Sequence, residues 1–166
     1  IGGNSGGEVK EIKNTNISTS KNYERKNGSL YVDNVLANGK QEYKEKNGVI
    51  IKGNFKDGLA DGLQERYYPS GKLYGKINIV NNKVEGTETT YYENGKIISE
   101  LNYTQGKLIS GKIYYENGQL MQVEDRSKNA RSVKVYDKAG NLIAENIFNK
   151  EHEIKQIYWH NLKKRL

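Results

Sequence analysis

A seven-residue motif that begins with two tyrosines recurs along this chain of 166 residues. Its three clearest copies are Tyr-Tyr-Pro-Ser-Gly-Lys-Leu at 67–73, Tyr-Tyr-Glu-Asn-Gly-Lys-Ile at 91–97 and Tyr-Tyr-Glu-Asn-Gly-Gln-Leu at 114–120. Weaker copies start at Tyr43 and Val135. The second aromatic residue recurs in steps of 24, 23 and 21 residues, at Tyr68, Tyr92, Tyr115 and Tyr136. A period of about 23 residues predicts a repeat protein in which each unit contacts mainly its neighbours.

Turn signals separate short segments that are rich in Tyr, Ile, Val and Thr, such as 87–92 and 130–136. Asn-Gly and Asp-Gly suit tight hairpin turns, because Gly adopts positive φ without strain and Asn tolerates it. The segments between the turns therefore predict β-strands. No stretch keeps the apolar spacing of a helix between its glycines. We expect turns at Gly28, Gly39, Gly48, Gly58, Gly71, Lys83, Gly95, Gly106, Gly118 and Gly140.

The pattern predicts an all-β fold, an elongated single-sheet antiparallel meander of tandem β-hairpin repeats with about 12–14 strands. Side chains alternate along a strand, so each Tyr-Tyr pair should place one ring on either face. We divide the chain into a flexible tether (1–7), an N-terminal cap with a degenerate repeat (8–42), the repeats (43–144), and a C-terminal cap with a basic tail (145–166).

Paired aliphatic residues after the turns do not suit a bare single sheet, because they send bulk to both faces. The pairs are Ile50-Ile51, Ile97-Ile98, Leu108-Ile109 and Leu142-Ile143. Either the strands contain β-bulges, or one face is covered by a cap, a dimer mate or the curvature of the sheet itself. The sequence leaves these alternatives open.

The recurring Tyr-Tyr-Glu-Asn-Gly-Lys-Leu unit resembles the MORN repeat family, in particular its bacterial variant repeat. The resemblance extends over about 43–142 and rests on the tandem recurrence. The chain lacks the regular Trp and His of the better-known eukaryotic repeats, since Trp159 is its only Trp. The resemblance implies a non-catalytic meander of hairpins that holds a partner or a membrane headgroup.

The residues that enzymes and metal sites use are scarce or badly placed. The chain has no Cys and two His, so we expect neither a metal site nor a cofactor, and no enzyme activity. Residues 106–112 match part of a phosphate-binding loop, but Ile113 stands where Ser or Thr is needed and a strand follows. We interpret Glu151-His152-Glu153 as a solvated strand end and Glu124-Asp125 as surface charge.

Two surfaces are candidate binding sites. The first is a ladder of aromatic residues of the kind enriched in interfaces, whose alternative role is to stabilise the sheet. Its members are Tyr67, Tyr68, Tyr91, Tyr92, Tyr114, Tyr115, Tyr136, Tyr158 and Trp159. The second is an anion-binding row of basic residues along one edge, whose alternative role is to prevent edge-to-edge aggregation. Its members are Lys72, Lys96, Lys107, Lys163, Lys164 and Arg165.

We expect a non-catalytic repeat protein that presents an extended β-surface to a macromolecular partner, either a protein or an anionic surface of lipid headgroups or glycan. The formal net charge of +7 favours anionic partners, but no nucleic-acid-binding motif is present. The alternatives are an intracellular antitoxin or immunity protein, and binding of anionic lipid headgroups through the Lys row. Self-association through a sheet edge or face is also open. The glycine-rich start without Met favours an exported or surface-associated bacterial protein over a cytoplasmic one.

Overall fold

A computed structural model of the chain describes residues 20–126 and 130–148, together with the backbone of 154–159. These residues form fifteen β-strands. The strands are β1 (Tyr23–Lys26), β2 (Ser29–Val32), β3 (Val35–Leu36), β4 (Gly39–Lys44), β5 (Ile50–Lys56), β6 (Leu59–Tyr67), β7 (Leu73–Val80), β8 (Lys83–Val84), β9 (Gly86–Tyr91), β10 (Ile97–Thr104), β11 (Lys107–Tyr114), β12 (Leu120–Asp125), β13 (Arg131–Tyr136), β14 (Leu142–Phe148) and β15 (Ile154–Trp159). Within these ranges no helix occurs that could cross a membrane.

The strands form two antiparallel sheets. A small sheet contains β1, β2 and β3, and a large sheet contains the other twelve strands in chain order. Only β8 leaves this path, since it pairs with β7 alone while β9 takes the next place in the sheet. The predicted all-β meander of hairpins is therefore confirmed. It differs from the prediction in having fifteen strands and a separate small sheet, because the first hairpins fold against the end of the large sheet instead of extending it.

Successive turns of a meander alternate between the two ends of its strands. The large sheet therefore has one edge formed by tight turns and an opposite edge formed by wide turns. At the tight-turn edge, two-residue turns have positive φ at both positions, which defines type I′ geometry. They are Asp57-Gly58, Asn81-Asn82 and Gln105-Gly106. At the wide-turn edge, a backbone bond joins residues four apart, as from the Tyr92 N–H to the Lys96 carbonyl at 2.8 Å. The wide turns are 45–49, 68–72, 92–96, 115–119 and 137–141.

The asparagine of the wide turns has a defined local role. The Asn94 side-chain oxygen accepts the Lys96 N–H at 2.9 Å, and Asn117 does the same for Gln119. This bond satisfies the first donor of the returning strand, while the following glycine supplies the positive φ of the turn. The Asn-Gly pair of the motif is thus explained by the geometry of the wide turn.

β-Bulges account for most of the paired aliphatic residues. Tyr91 lies opposite Ile97 but Thr90 lies opposite Ser99, so Ile98 is left as an extra residue in β10. The same shift leaves one extra residue after three other wide turns, at Tyr74, Met121 and Ile143, and after the tight turn before β11, at Ile109. A bulge leaves one residue of the strand unpaired, so that pairing resumes one residue later.

The pair Ile50-Ile51 follows the other alternative, since a cap covers Ile51 on one face of the sheet. Ile51 belongs to a cluster of buried side chains beneath the small sheet, with Leu30, Ala37, Tyr43 and Phe55. The small sheet is fixed to the large one by backbone bonds, from the Leu30 N–H to the Gly58 carbonyl and from the Gly58 N–H to the Ala37 carbonyl, each at 2.8 Å. The N-terminal hairpins therefore close one end of the apolar face.

Candidate functional site

The strand register divides the large sheet into two faces. Ser99 lies opposite Thr90 and Ile113, whereas Glu100 lies opposite Thr89 and Lys112. Tracing these pairs across the sheet assigns each residue to the core face, which contains Ser99, or to the outer face, which contains Glu100. All of the buried side chains of the large sheet fall on the core face; they are Tyr43, Ile51, Phe55, Gln64, Ile77, Ser99, Glu124, Val133 and Ala144.

The two tyrosines of each motif have different roles. The second tyrosine donates its hydroxyl proton to a backbone carbonyl one repeat further on: Tyr68 to Tyr91 at 2.7 Å, Tyr92 to Tyr114 at 2.9 Å, and Tyr115 to Tyr136 at 2.9 Å. These bonds join successive hairpins at the wide-turn edge. The rings of Tyr68, Tyr92 and Tyr115 are half-buried, so this part of the predicted ladder has a structural use.

Tyr136 corresponds to the first tyrosine of the motif, which corrects the alignment drawn from the sequence. The wide turn after it is closed by the Asp137 N–H, which donates to the Asn141 carbonyl at 2.9 Å. Asp137 therefore occupies the place of Tyr68, Tyr92 and Tyr115. The alignment of the last repeat was shifted by one residue, because this repeat has an acid at its second position where the others have an aromatic residue.

The first tyrosines form a continuous aromatic–aliphatic row across the outer face. Each lies beside an aliphatic residue of the next strand, as Tyr67 lies beside Ile50 and Leu73. The members of the row are Ile50, Tyr67, Leu73, Tyr91, Ile97, Tyr114, Leu120, Tyr136 and Leu142. All nine side chains are half-buried. The aliphatic members were not among the predicted site residues, although they occupy the last position of the repeated motif.

A charged row runs next to the aromatic–aliphatic row on the same face. Following the register, its members are Glu42, Lys52, Glu65, Lys76, Thr89, Glu100, Lys112, Val123, Lys134 and Glu145. Neighbours pair across the strands, Lys52 with Glu42 at 3.3 Å and Lys134 with Glu145 at 3.6 Å. With four Glu and four Lys the row is neutral in a chain of net charge +7.

Hydrogen bonds connect the two rows. The Tyr67 hydroxyl donates to the Glu65 carboxylate, which raises the pKa of Tyr67 to about 12. The Tyr114 hydroxyl donates to Glu100 at 2.9 Å, and partial burial together with this carboxylate raises its pKa. The Lys52 ammonium lies 5.1 Å from the centre of the Tyr67 ring, within the range of a cation–π contact. The phenol oxygens are thereby held over the charged row.

The predicted row of lysines does not form. Lys72 and Lys96 follow wide turns, whereas Lys107 follows a tight turn at the opposite edge of the sheet. The equivalent positions of the next two wide turns are Gln119 and Asn141. The prediction was wrong because consecutive turns were assigned to one edge. Lys163, Lys164 and Arg165 lie outside the described residues, as do the side chains of Tyr158 and Trp159, whose backbone pairs with Glu145 and Ala144 in β15.

Glu124 is a buried acid that the sequence analysis misplaced on the surface. It is 8% exposed on the core face and accepts hydrogen bonds from Arg131, at 2.5 Å, and from Arg126. Burial raises the pKa of Glu124, but the bonds and charges of the two arginines outweigh it, so the pKa lies below its ordinary value of 4.5. Register would have identified this site, since Glu124 shares a face with Val133.

The other chemical motifs resolve simply. Residues 106–112 form the end of a tight turn and the start of β11, so the helix that a phosphate-binding loop requires is missing there. Across the described ranges no three His, Cys, Asp or Glu side chains converge as metal ligands would. Glu151-His152-Glu153 falls outside those ranges.

Comparison with known families identifies the repeats. Three segments, 60–81, 84–105 and 109–125, match the family described as MORN repeat variant. Each segment starts just after a tight turn and contains one wide turn with its two flanking strands. The hairpins β4–β5 and β13–β14 have the same wide turn outside the matched range. The chain shows no significant match to any curated protein. We conclude that residues 60–125 are three MORN repeats of the variant type.

Proposed function

We propose that this chain is a non-catalytic repeat protein whose outer face binds a protein partner. The observation that carries the proposal is the aromatic–aliphatic row, which extends from β5 to β14 without any layer of the described chain on top of it. MORN repeats are typically binding repeats. Half-exposed tyrosines on a rigid sheet suit this use, because they bury a large area and lose little conformational entropy.

The chemistry of the outer face favours a protein over an anionic lipid or a nucleic acid. Those ligands select surfaces with an excess of Lys and Arg. The charged row beside the tyrosines is neutral, and the lysines that follow the turns are divided between two edges. An alternating set of charges beside apolar side chains matches the mixed surface of a folded protein better.

Site-specific photo-cross-linking tests the proposal. A benzophenone amino acid replaces Tyr91, on the outer face, in cells of the organism that encodes the chain. Tyr92 is the matched control, because it is the next residue, has the same side chain, and belongs to the other face and the wide-turn edge. Circular dichroism of both purified variants checks that the sheet is retained.

We expect illumination to give a discrete protein adduct from position 91 and a much weaker one, or none, from position 92. A retained sheet with equal labelling from both positions, or with adducts to lipid or nucleic acid only, would contradict the proposal.

A further inference from the structure

We propose that the partner of the outer face is a second copy of this chain, packed face to face about a two-fold axis. The axis lies between the two copies and passes over Thr89 of β9. This inference rests on the proposed function, since it names the occupant of the same face. The axis runs parallel to the strands, so the second copy presents its strands in reverse order while each row faces its own counterpart. It follows from the order of charges in the charged row.

The charged row is antisymmetric about Thr89 at three of its four paired positions; at the fourth, three strands away, Lys52 is paired with the uncharged Val123. One strand away on either side lie Lys76 and Glu100, two strands away lie Glu65 and Lys112, and four strands away lie Glu42 and Lys134. Each of these three pairs has opposite charges. A two-fold axis brings the members of each pair together across the interface, because it exchanges the two sides of the row.

Alternation within one chain does not by itself produce this order. Cross-strand pairs are stabilised by opposite neighbours, and a row that alternated without a break would be symmetric about any of its members. It would then place like charges opposite each other around a two-fold axis through any of its members, and only an axis between two strands would suit it. The break at Thr89 inverts the order, and the residue on the axis, which must meet its own copy, is uncharged.

The aromatic–aliphatic row fits the same axis. Tyr91 meets its own copy, Leu73 meets Ile97, Tyr67 meets Tyr114, and Ile50 meets Leu120. Aromatic residues thus face aromatic residues and aliphatic residues face aliphatic ones. A shift by one strand would instead place Glu65 against Glu100 and Lys52 against Lys112. Such like-charge contacts suppress a wrong register.

The contact has the size of a specific interface. The seven strands from β5 to β12 that lie on the path of the large sheet give a contact about 30 Å wide, and the outer face of these strands, each at least 6 residues long, extends about 20 Å along them. This corresponds to about 600 Å² per copy, at the lower end of stable interfaces. Two sheets packed face to face keep their strands within about 30° of each other, which an axis parallel to the strands allows.

Two charge reversals test the register. Glu65→Lys and Lys112→Glu each create two like-charge contacts in their own dimer, so each should weaken self-association by about tenfold or more in sedimentation velocity. Mixing the two variants should restore association to within about threefold of the unmodified chain. In the mixture, each reversed charge keeps its unfavourable neighbours within its own chain. Restored association therefore reports contact between copies. The mid-point of thermal unfolding of each variant monitors the fold.

Cross-linking provides a second test that leaves the charges unchanged. The chain has no Cys, so Thr89→Cys introduces a single thiol on the axis, and a short bismaleimide should join two copies. Val123→Cys is the matched control on the same row, because two copies of it would lie six strands, about 29 Å, apart. Dimer from position 89 alone supports the axis.

An unmodified chain that stays monomeric at high concentration, equal cross-linking from both positions, or no recovery on mixing folded variants would overturn the inference. A monomeric chain that still labels a different protein from position 91 would retain the proposed function and remove the second copy as its partner. Absence of any adduct from position 91, together with a dimer that forms from position 89, would retain the two-fold contact and remove binding in the cell.

Discussion

At the scale of single residues, the two tyrosines of the motif differ in their contacts. Tyr92 donates its hydroxyl to the next repeat and so joins two hairpins, whereas Tyr91 takes part in the aromatic–aliphatic row of the outer face. The two side chains are identical and adjacent. Their difference comes from strand alternation and from the wide turn, which brings the second ring to the carbonyl of the neighbouring repeat.

This division predicts unequal effects of removing a hydroxyl. Tyr92→Phe leaves the Tyr114 carbonyl without its 2.9 Å donor, so we expect a loss of about 1 kcal/mol of unfolding free energy. Tyr91→Phe is the control, because the Tyr91 hydroxyl makes no hydrogen bond to the described part of the chain; it should change stability by less than about 0.5 kcal/mol. Urea denaturation of both variants measures the difference. Equal losses would refute the assignment.

The buried Glu124 predicts a pH dependence on the core face. Its folded pKa lies below 4.5, so its contribution to stability is present above that value and is lost as the pH falls through the folded pKa. Glu124→Gln, which loses the ionic bonds to Arg126 and Arg131, should therefore be less stable by about 1–3 kcal/mol near neutral pH. Thermal unfolding from neutral to acidic pH should show the two curves converging. A constant difference would contradict the argument.

At the scale of elements, the turns show how much of the fold can be predicted from the sequence. Repeat period, strand positions and most turns followed from Gly, Asn and Tyr, because these residues act locally through φ preferences and alternation. The edge at which a turn lies depends on the number of strands that precede it in the meander. Without that count, Lys72 and Lys107 were wrongly placed in one row. The bulge at Ile98 and the burial of Glu124 depend on cross-strand register, which no single repeat reveals.

One tight turn departs from the residues that its geometry prefers. Gln105 adopts φ of 49°, the left-handed position that Asn27, Asp57 and Asn81 occupy in equivalent turns. Gln105→Asn should therefore stabilise the protein by about 0.5 kcal/mol, since Asn tolerates this region better. The hydrogen bond from the Gln105 backbone N–H to the Glu85 carboxylate at 2.7 Å is retained in the variant. Gln105→Val is the opposing control and should destabilise. Denaturation curves in which Asn lowers the midpoint would contradict the turn assignment.

At the scale of the whole molecule, the small sheet covers one end of the large sheet. The small sheet seals the apolar face over β4 and β5, where Leu30 is fully buried beside Phe55. Further along, the extensive contacts of each strand are with the strands beside it. Stability in such an arrangement is a sum of local units and nearest-neighbour interfaces, so damage at one end should remain there.

Hydrogen exchange can test this locality. Leu30→Ala removes the centre of the cap cluster, a change that costs about 2–5 kcal/mol in a packed core. We expect faster exchange in β1 to β6 and unchanged exchange in β11 and β12, because the extensive contacts between strands join only neighbours in the sheet. Val133 is 8% exposed and lies near the other end of the sheet. Val133→Ala should show the reverse, with faster exchange in β12 to β14 and unchanged exchange in β4 and β5. If stability is a sum of neighbouring interfaces, the loss of protection is confined to the strands around the substitution. Uniform loss of protection in either variant would instead mean that the meander unfolds as one unit.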